Sequence, residues 1–171
     1  MKKNLTLLII AIMLCFSANL FSQIATPPAN GDGTTANPYQ IASLENLYWI
    51  AEDALNWDKN YIQTANINAA ETYTWFDAEG WVSIGNNSTK FTGTYNGQNF
   101  TIDSLRINRT ASYRGFFGYI ENSTIENLSL TNVNILGGQY TGGLVGYSAS
   151  SNIERVNVTG NVSSSSSYAG G

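Results

Sequence analysis

GLVGYSASSNIERVNV, residues 143–158, repeats a phrase that stands upstream, at an offset of 28, as GFFGYIENSTIENLSL, residues 115–130. Gly115, Gly118 and Tyr119 fall on Gly143, Gly146 and Tyr147, and Ile125, Leu128 and Leu130 fall on Ile153, Val156 and Val158. Apolar residues at alternate positions mark a strand with one buried face, so Leu128 and Leu130 should point inward and Leu128 should stack on Val156. TIDSLRI at 101–107 gives a weaker copy of TIENLSL at an offset of 23, so the pattern Ile-x-x-Leu-x-[Ile/Leu] recurs. Periods of about 20 to 50 residues belong to solenoids, whose units bury an apolar face only by stacking on neighbours. The expected fold is therefore all-β, a parallel β-helix with one winding per repeat. Gly142-Gly143 maps onto Gly170-Gly171, so the chain is expected to be cut inside a repeat.

Upstream, WVSIGNNSTKFTGTYNGQNFTI at 81–102 has corners at Asn86-Asn87, Gly93 and Asn96-Gly97. Before it the period changes. SLENLYWIAEDALNWD, from residue 43, spaces Leu44, Leu47, Tyr48, Ala51, Ala54 and Leu55 as a helix does, with Ser43 as N-cap and Glu45 in the first turn. A helix there would cap the first winding. YQI at 39–41 reads as a short strand, and residues 23–38, with all three Pro, as a lead-in loop. Downstream, Ser163–Ser167 reads as an outward loop.

Lys2 and Lys3, the apolar run Leu5 to Phe16 and the polar stretch to Gln23 read as a secretory signal at 1–22, too short to span a bilayer. Cys15 lies within it behind Leu14, which does not suit a lipid anchor. The domain expectation is a signal at 1–22, a lead-in at 23–38, and a cap with β-helix repeats at 39–171. Without the signal, 6 basic residues face 12 acidic ones, a net charge of −6, which disfavours nucleic acid. No disulfide is then available, and no second apolar segment is long enough to span a membrane.

The chain has no His and no Cys beyond residue 15, which removes His-dependent triads and His- or Cys-ligated zinc. Carboxylate chemistry remains, and a glycosidase needs two acids about 5 to 10 Å apart across a groove. Asp77 and Glu79 are close enough in sequence to share a face, though a solvated loop explains them. Glu126 and Glu154 should stack one winding apart, with Asp103 joining them if the earlier copy aligns and with Arg155 or Arg106 offsetting the charge. GGLVG lacks the Lys-Ser/Thr of a phosphate loop. Asn99, Asn108, Asn122 and Asn157 stand in Asn-x-Ser/Thr triplets and read as turn residues. No catalytic residue, cofactor or metal ligand is assigned. Tyr119 and Tyr147 occupy equivalent repeat positions, as do Tyr140 and Tyr168, and stacked tyrosines offer a candidate ligand face for sugar rings or a protein.

With Gly143-Leu144-Val145-Gly146, its aromatic version Gly115-Phe116-Phe117-Gly118, the strands after each, and upstream WVSIG and FTGTYNGQNFTI, the chain resembles the GLUG-motif proteins over residues 31–171. That resemblance implies a right-handed parallel β-helix in secreted or surface-attached, adhesin-like bacterial proteins, and no activity. The signal and its LFSQ ending resemble Bacteroidetes-type exports. The expectation is a secreted or cell-surface, non-enzymatic scaffold or adhesin that binds glycans or cell-surface proteins, not nucleic acid. The alternative is a carbohydrate-active β-helix, a polysaccharide lyase or glycosidase, or an accessory domain of a larger secreted enzyme.

Overall fold

The computed structural model describes residues 23–166 and the backbone of 169 and 170. The signal at 1–22, Cys15 and Tyr168 lie outside the described residues.

Among the described residues the regular structure is mostly strand, with one α-helix. Strand β1 is Tyr39–Ile41 and helix α1 is Leu44–Glu52. They are followed by β2 (Asn60–Gln63), β3 (Ile67–Asn68), β4 (Thr94–Asn96), β5 (Thr101–Asp103) and β6 (Arg106–Asn108). Then come β7 (Phe117–Glu121), the long β8 (Thr124–Gly137), β9 (Thr141–Gly142), β10 (Val145–Ala149), the long β11 (Asn152–Ser164) and β12 (Ala169–Gly170). Every ladder between these strands is parallel.

The repeat period sets the register. Ile125 faces Ile153, Leu128 faces Val156 and Leu130 faces Val158 between β8 and β11, as their spacing predicts. Phe117 faces Val145 between β7 and β10, and Thr141 faces Ala169 between β9 and β12. Along its length β8 meets three earlier strands in turn, β4, then β5, then β6. It bends between them at Asn127 and Asn132, each with φ 53°. Single left-handed residues of this kind are what Asn tolerates best among residues with a Cβ. In β11 the matching corners are Arg155, φ 53°, and Gly160, φ 134°, where the register shifts.

One correction concerns TIDSLRI. It does not stack on TIENLSL at an offset of 23: Ile102 faces Leu130 and Ile107 faces Ile135, an offset of 28, while Tyr95 of β4 faces Ile125. The similarity joins segments on different sides of the molecule, because every half-buried strand asks for the same apolar alternation. A second correction concerns the serine run, since Ser163 and Ser164 extend β11 opposite Leu136 and Gly137 rather than looping outward.

Helix α1 begins where the sequence places it, with the Ser43 hydroxyl accepting from the Asn46 amide at 3.3 Å. It ends at Glu52, sooner than its spacing suggests. Asp53 caps a separate short 3-10 turn at Ala54–Asn56, so Leu55 leaves the apolar face and is 79% exposed. Leu44, Leu47, Ile50 and Ala51 are buried in the common core beside the edge strand β1.

Towards the N-terminal side that core is aromatic, with Trp81 stacked between Trp75 and Phe116 at ring distances of 6.1 and 5.6 Å. Towards β8 it becomes aliphatic, with Ile125, Leu128, Leu130, Val133 and Ile135. One polar pair sits inside. The buried Tyr95 hydroxyl donates to Gln63 Oε1 at 3.0 Å, and Gln63 Nε2 donates to the carbonyls of Ala65 and Thr101. Burial raises the Tyr95 pKa and keeps the hydroxyl a donor. Tyr95→Phe would leave the Gln63 carbonyl without a donor, at an expected cost of about 1–3 kcal/mol in urea unfolding. Gln63→Leu added to it should recover part of that loss, since removing both partners spares the orphaned group.

Candidate functional site

The candidate face rests on β7 and β10, where Phe117 and Ile120 are buried in the core and Tyr119 between them is half-buried, a pattern that departs from strict alternation. Tyr147 faces Tyr119 in register, with ring centroids 4.8 Å apart. Tyr140 joins them, 5.4 Å edge-on from Tyr147. Its repeat partner Tyr168 lies outside the described residues.

Sequence reasoning missed the fourth ring. Tyr113 stacks on Tyr119 at 5.6 Å and on Tyr140 at 5.1 Å, holding the group together from a left-handed backbone position, φ 60°. No periodicity announces it, because the position equivalent to Tyr113 in the next repeat is Thr141. The Lys90 ammonium lies 5.3 Å over the Tyr119 ring, a cation–π contact. Desolvation, then the neighbouring Tyr147, Glu121 and Tyr113, push the Tyr119 hydroxyl up. Much of this aromatic surface is spent on ring-to-ring packing, and Tyr147, 39% exposed, presents the widest free part. The arrangement offers a flat apolar face edged by hydroxyls, suited to stacking.

The predicted acid ladder forms in part. Glu126 and Glu154 face each other, and Arg155 spans them, with Nη2 2.5 Å from Glu126 Oε2 and Nη1 2.5 Å from Glu154 Oε2. Asn96 also donates to Glu126 at 2.8 Å. Arg106 takes no part and lies 5.0 Å over Tyr73.

Asp103 is not in this ladder, because its register partner is Thr131. Its carboxylate accepts from Thr131 Oγ1 at 2.6 Å, Ser104 Oγ at 2.7 Å and Asn132 Nδ2 at 2.7 Å, and these bonds hold its pKa below the usual value. A depressed folded pKa gives stability that is present above the unfolded value of about 4 and lost as pH falls through the folded one. Asp103→Asn should therefore flatten the acid limb of the melting temperature below about pH 4 and leave the slope near pH 7 unchanged.

Glu79 pairs with Arg109 at 2.6 Å, and Asp77 is an exposed residue of a left-handed turn, φ 54°. Arg109 also donates to the carbonyls of Gly80 and Trp81 and lies 5.1 Å over Phe76, so the Asp77–Glu79 segment is strapped down as a loop. Among the Asn-x-Ser/Thr residues, Asn99 and Asn122 occupy turns with φ 64° and 50°, whereas Asn108 closes β6 and Asn157 lies within β11. Among the described residues no three metal-ligating side chains converge, and no helix is long and apolar enough to cross a membrane.

Residues 137–163, from the end of β8 through most of β11, match the GLUG motif. The chain is 36% identical over 137 residues to halomucin of Haloquadratum walsbyi, covering 77% of this chain and 2% of that protein. It is 37% identical over 108 residues to a Gly-rich membrane protein of Evansella cellulosilytica, covering 60% of this chain and 12% of that one. The chain thus spans a small part of each curated relative. No solved structure matches it.

Proposed function

We propose that this GLUG-bearing chain is the capped start of a right-handed parallel β-helix, a non-enzymatic scaffold of adhesin type that is secreted or displayed at the cell surface. The observation that carries the reading is the in-register pairing of Tyr119 with Tyr147 on parallel strands one repeat apart. A strand stack of this kind repeats a side chain about every 4.8 Å along one face. Such a face suits sugar rings or a flat protein surface. Relatives named as halomucin and a Gly-rich membrane protein agree with a surface setting. Helix α1, buried beside the edge strand β1, acts as the cap that keeps that edge from pairing elsewhere.

The test is a screen of the chain from residue 23 onward against neutral glycans and cell-surface proteins, with product analysis of any polymer bound. Tyr147→Ala and Tyr119→Ala should each weaken capture about tenfold, since a stacked aromatic contact contributes about 1 kcal/mol or more. Binding indifferent to both changes would remove the tyrosine face from the reading. Cleavage of a bound polymer would instead favour the carbohydrate-active alternative.

A further inference from the structure

We propose that Arg106, Arg109 and Arg114 form an anion-binding strip that takes the carboxylate or sulfate groups of an acidic polysaccharide. It stands on different side chains from the tyrosine face, which it adjoins where Arg114 follows Tyr113 and its amide donates to the Tyr140 carbonyl. Beyond residue 22 the chain has six basic residues, and these three fall within nine positions. The other three are engaged elsewhere: Lys59 with Asp58 at 2.8 Å, Lys90 with the Asn87 carbonyl at 3.0 Å, and Arg155 with its two glutamates.

Within the strip the three arginines are not equivalent. Arg109 is satisfied by Glu79 and two carbonyls. Arg106 and Arg114 have no carboxylate partner among the described residues, and the Nε–H of each is sealed from solvent with no acceptor, so it is their Nη atoms that an arriving anion meets. A buried donor left unmade is costly, and a guanidinium has no neutral form in which to escape. An oxyanion is the partner that a planar guanidinium fits best, through paired charge-assisted hydrogen bonds.

The surroundings favour the same class of ligand. Tyr73 under Arg106 and Phe76 under Arg109 set both guanidinium groups over the 70–80 segment. Tyr73 is itself 40% exposed and leaves apolar surface for a pyranose ring beside the charge. Burial, and secondarily the charge of Arg109, lowers the Arg114 pKa, so a bound anion would relieve the site. A Cβ added at Gly137 would meet Thr141 Oγ1 at 2.2 Å and the Arg114 Cβ at 2.9 Å, so a glycine is what lets the Arg114 and Thr141 segments close on this corner. Twelve acidic side chains oppose a densely charged polymer such as nucleic acid, whereas a polysaccharide carries its charges farther apart.

The test measures binding of the full chain, at low salt, to polygalacturonate, to dextran sulfate and to neutral dextran. Binding to either acidic polymer over dextran is expected, and which of the two is preferred tells carboxylate from sulfate. Arg106→Gln with Arg114→Gln should weaken it about tenfold or more, while Lys59→Gln with Arg155→Gln should not. The strip variant should also melt no lower than the parent, because two orphaned guanidinium groups are gone. If it fails to fold, Arg114→Lys keeps the charge and should still lose affinity several-fold, because an ammonium cannot make the paired contact. Equal binding to dextran, an unaffected strip variant, or an equal loss in the Lys59/Arg155 control would overturn the proposal. Loss here with Tyr147-dependent capture intact would leave the adhesin reading standing, and the converse would leave the strip.

Discussion

Trp81→Ala should destabilise the fold by about 4 kcal/mol, a large share of the roughly 5–15 kcal/mol that holds a domain of this size together. The indole has no exposure to solvent, stacks on Trp75 and Phe116, and donates from Nε1 to the Phe116 carbonyl at 3.1 Å. Truncation removes the apolar transfer term, opens a cavity between two rings whose backbones are themselves hydrogen-bonded in place, and takes from the Phe116 carbonyl one of its two donors, the other being the Ile84 amide. These losses add, because the neighbours have little room to collapse. Trp81→Phe retains the stack and loses the hydrogen bond, so its cost should be nearer about 1–3 kcal/mol. Guanidinium unfolding of the two variants separates ring from bond. A loss below about 1 kcal/mol for the alanine would mean that Trp81 is not the keystone of the aromatic half.

Gly118→Ala is the second large effect, expected at about 3 kcal/mol or more. The backbone there needs no unusual φ; what it needs is proximity. A Cβ on Gly118 would meet the Gly85 carbonyl oxygen at 2.3 Å and the Tyr113 carbonyl oxygen at 2.7 Å, both main-chain atoms of neighbouring segments. Neither can move without disturbing the segments packed around it. Gly143→Ala is the useful contrast, because its Cβ would meet a Val158 methyl at 2.5 Å, and that side chain can rotate away. Equilibrium unfolding should rank Gly118→Ala well above Gly143→Ala, and the reverse order would refute the close-approach account. The last glycine of each Gly-x-x-Gly phrase is therefore a spacing device. Gly146 repeats it, with the Gly118 and Tyr140 carbonyl oxygens each 2.7 Å from its would-be Cβ.

Much of the architecture is legible because a repeat states its own register. Once Gly115 falls on Gly143, the facing of Ile125 with Ile153 and of Leu130 with Val158 follows by counting. Ahead of residue 101 the counting breaks down, since Asn60 faces Thr94 at an offset of 34 and Thr94 faces Thr124 at 30. Side-chain alternation reports which residues are buried, but not which side of the molecule a strand belongs to, and so it sets TIDSLRI against the wrong partner. The site is less legible still. Repetition reveals Tyr119 and Tyr147, but Tyr113 has no repeat mate. The Arg109–Glu79 bond and the Tyr95–Gln63 pair join residues 30 and 32 apart across unlike segments, where no pattern exists to read. Arg155 can be found because its neighbours Glu126 and Glu154 repeat. Its place at a left-handed corner that Asn127 fills one repeat earlier has no such signal.

The parallel ladders carry a kinetic consequence. Strand partners lie near one another in the numbering, from an offset of 22 for Tyr39 with Tyr61 to one of 35 for Ile67 with Ile102, and among the described residues no ladder joins distant parts of the chain. Closing a loop costs an entropy that rises only with the logarithm of its length, and here that length never grows. Each later strand docks on an earlier one, at nearly the same entropic cost as the strand before it. Folding rates of all-β proteins usually suffer from long-range pairings; in this chain the search ahead of every strand is short, and lengthening the stack would add steps in series without making any one of them harder.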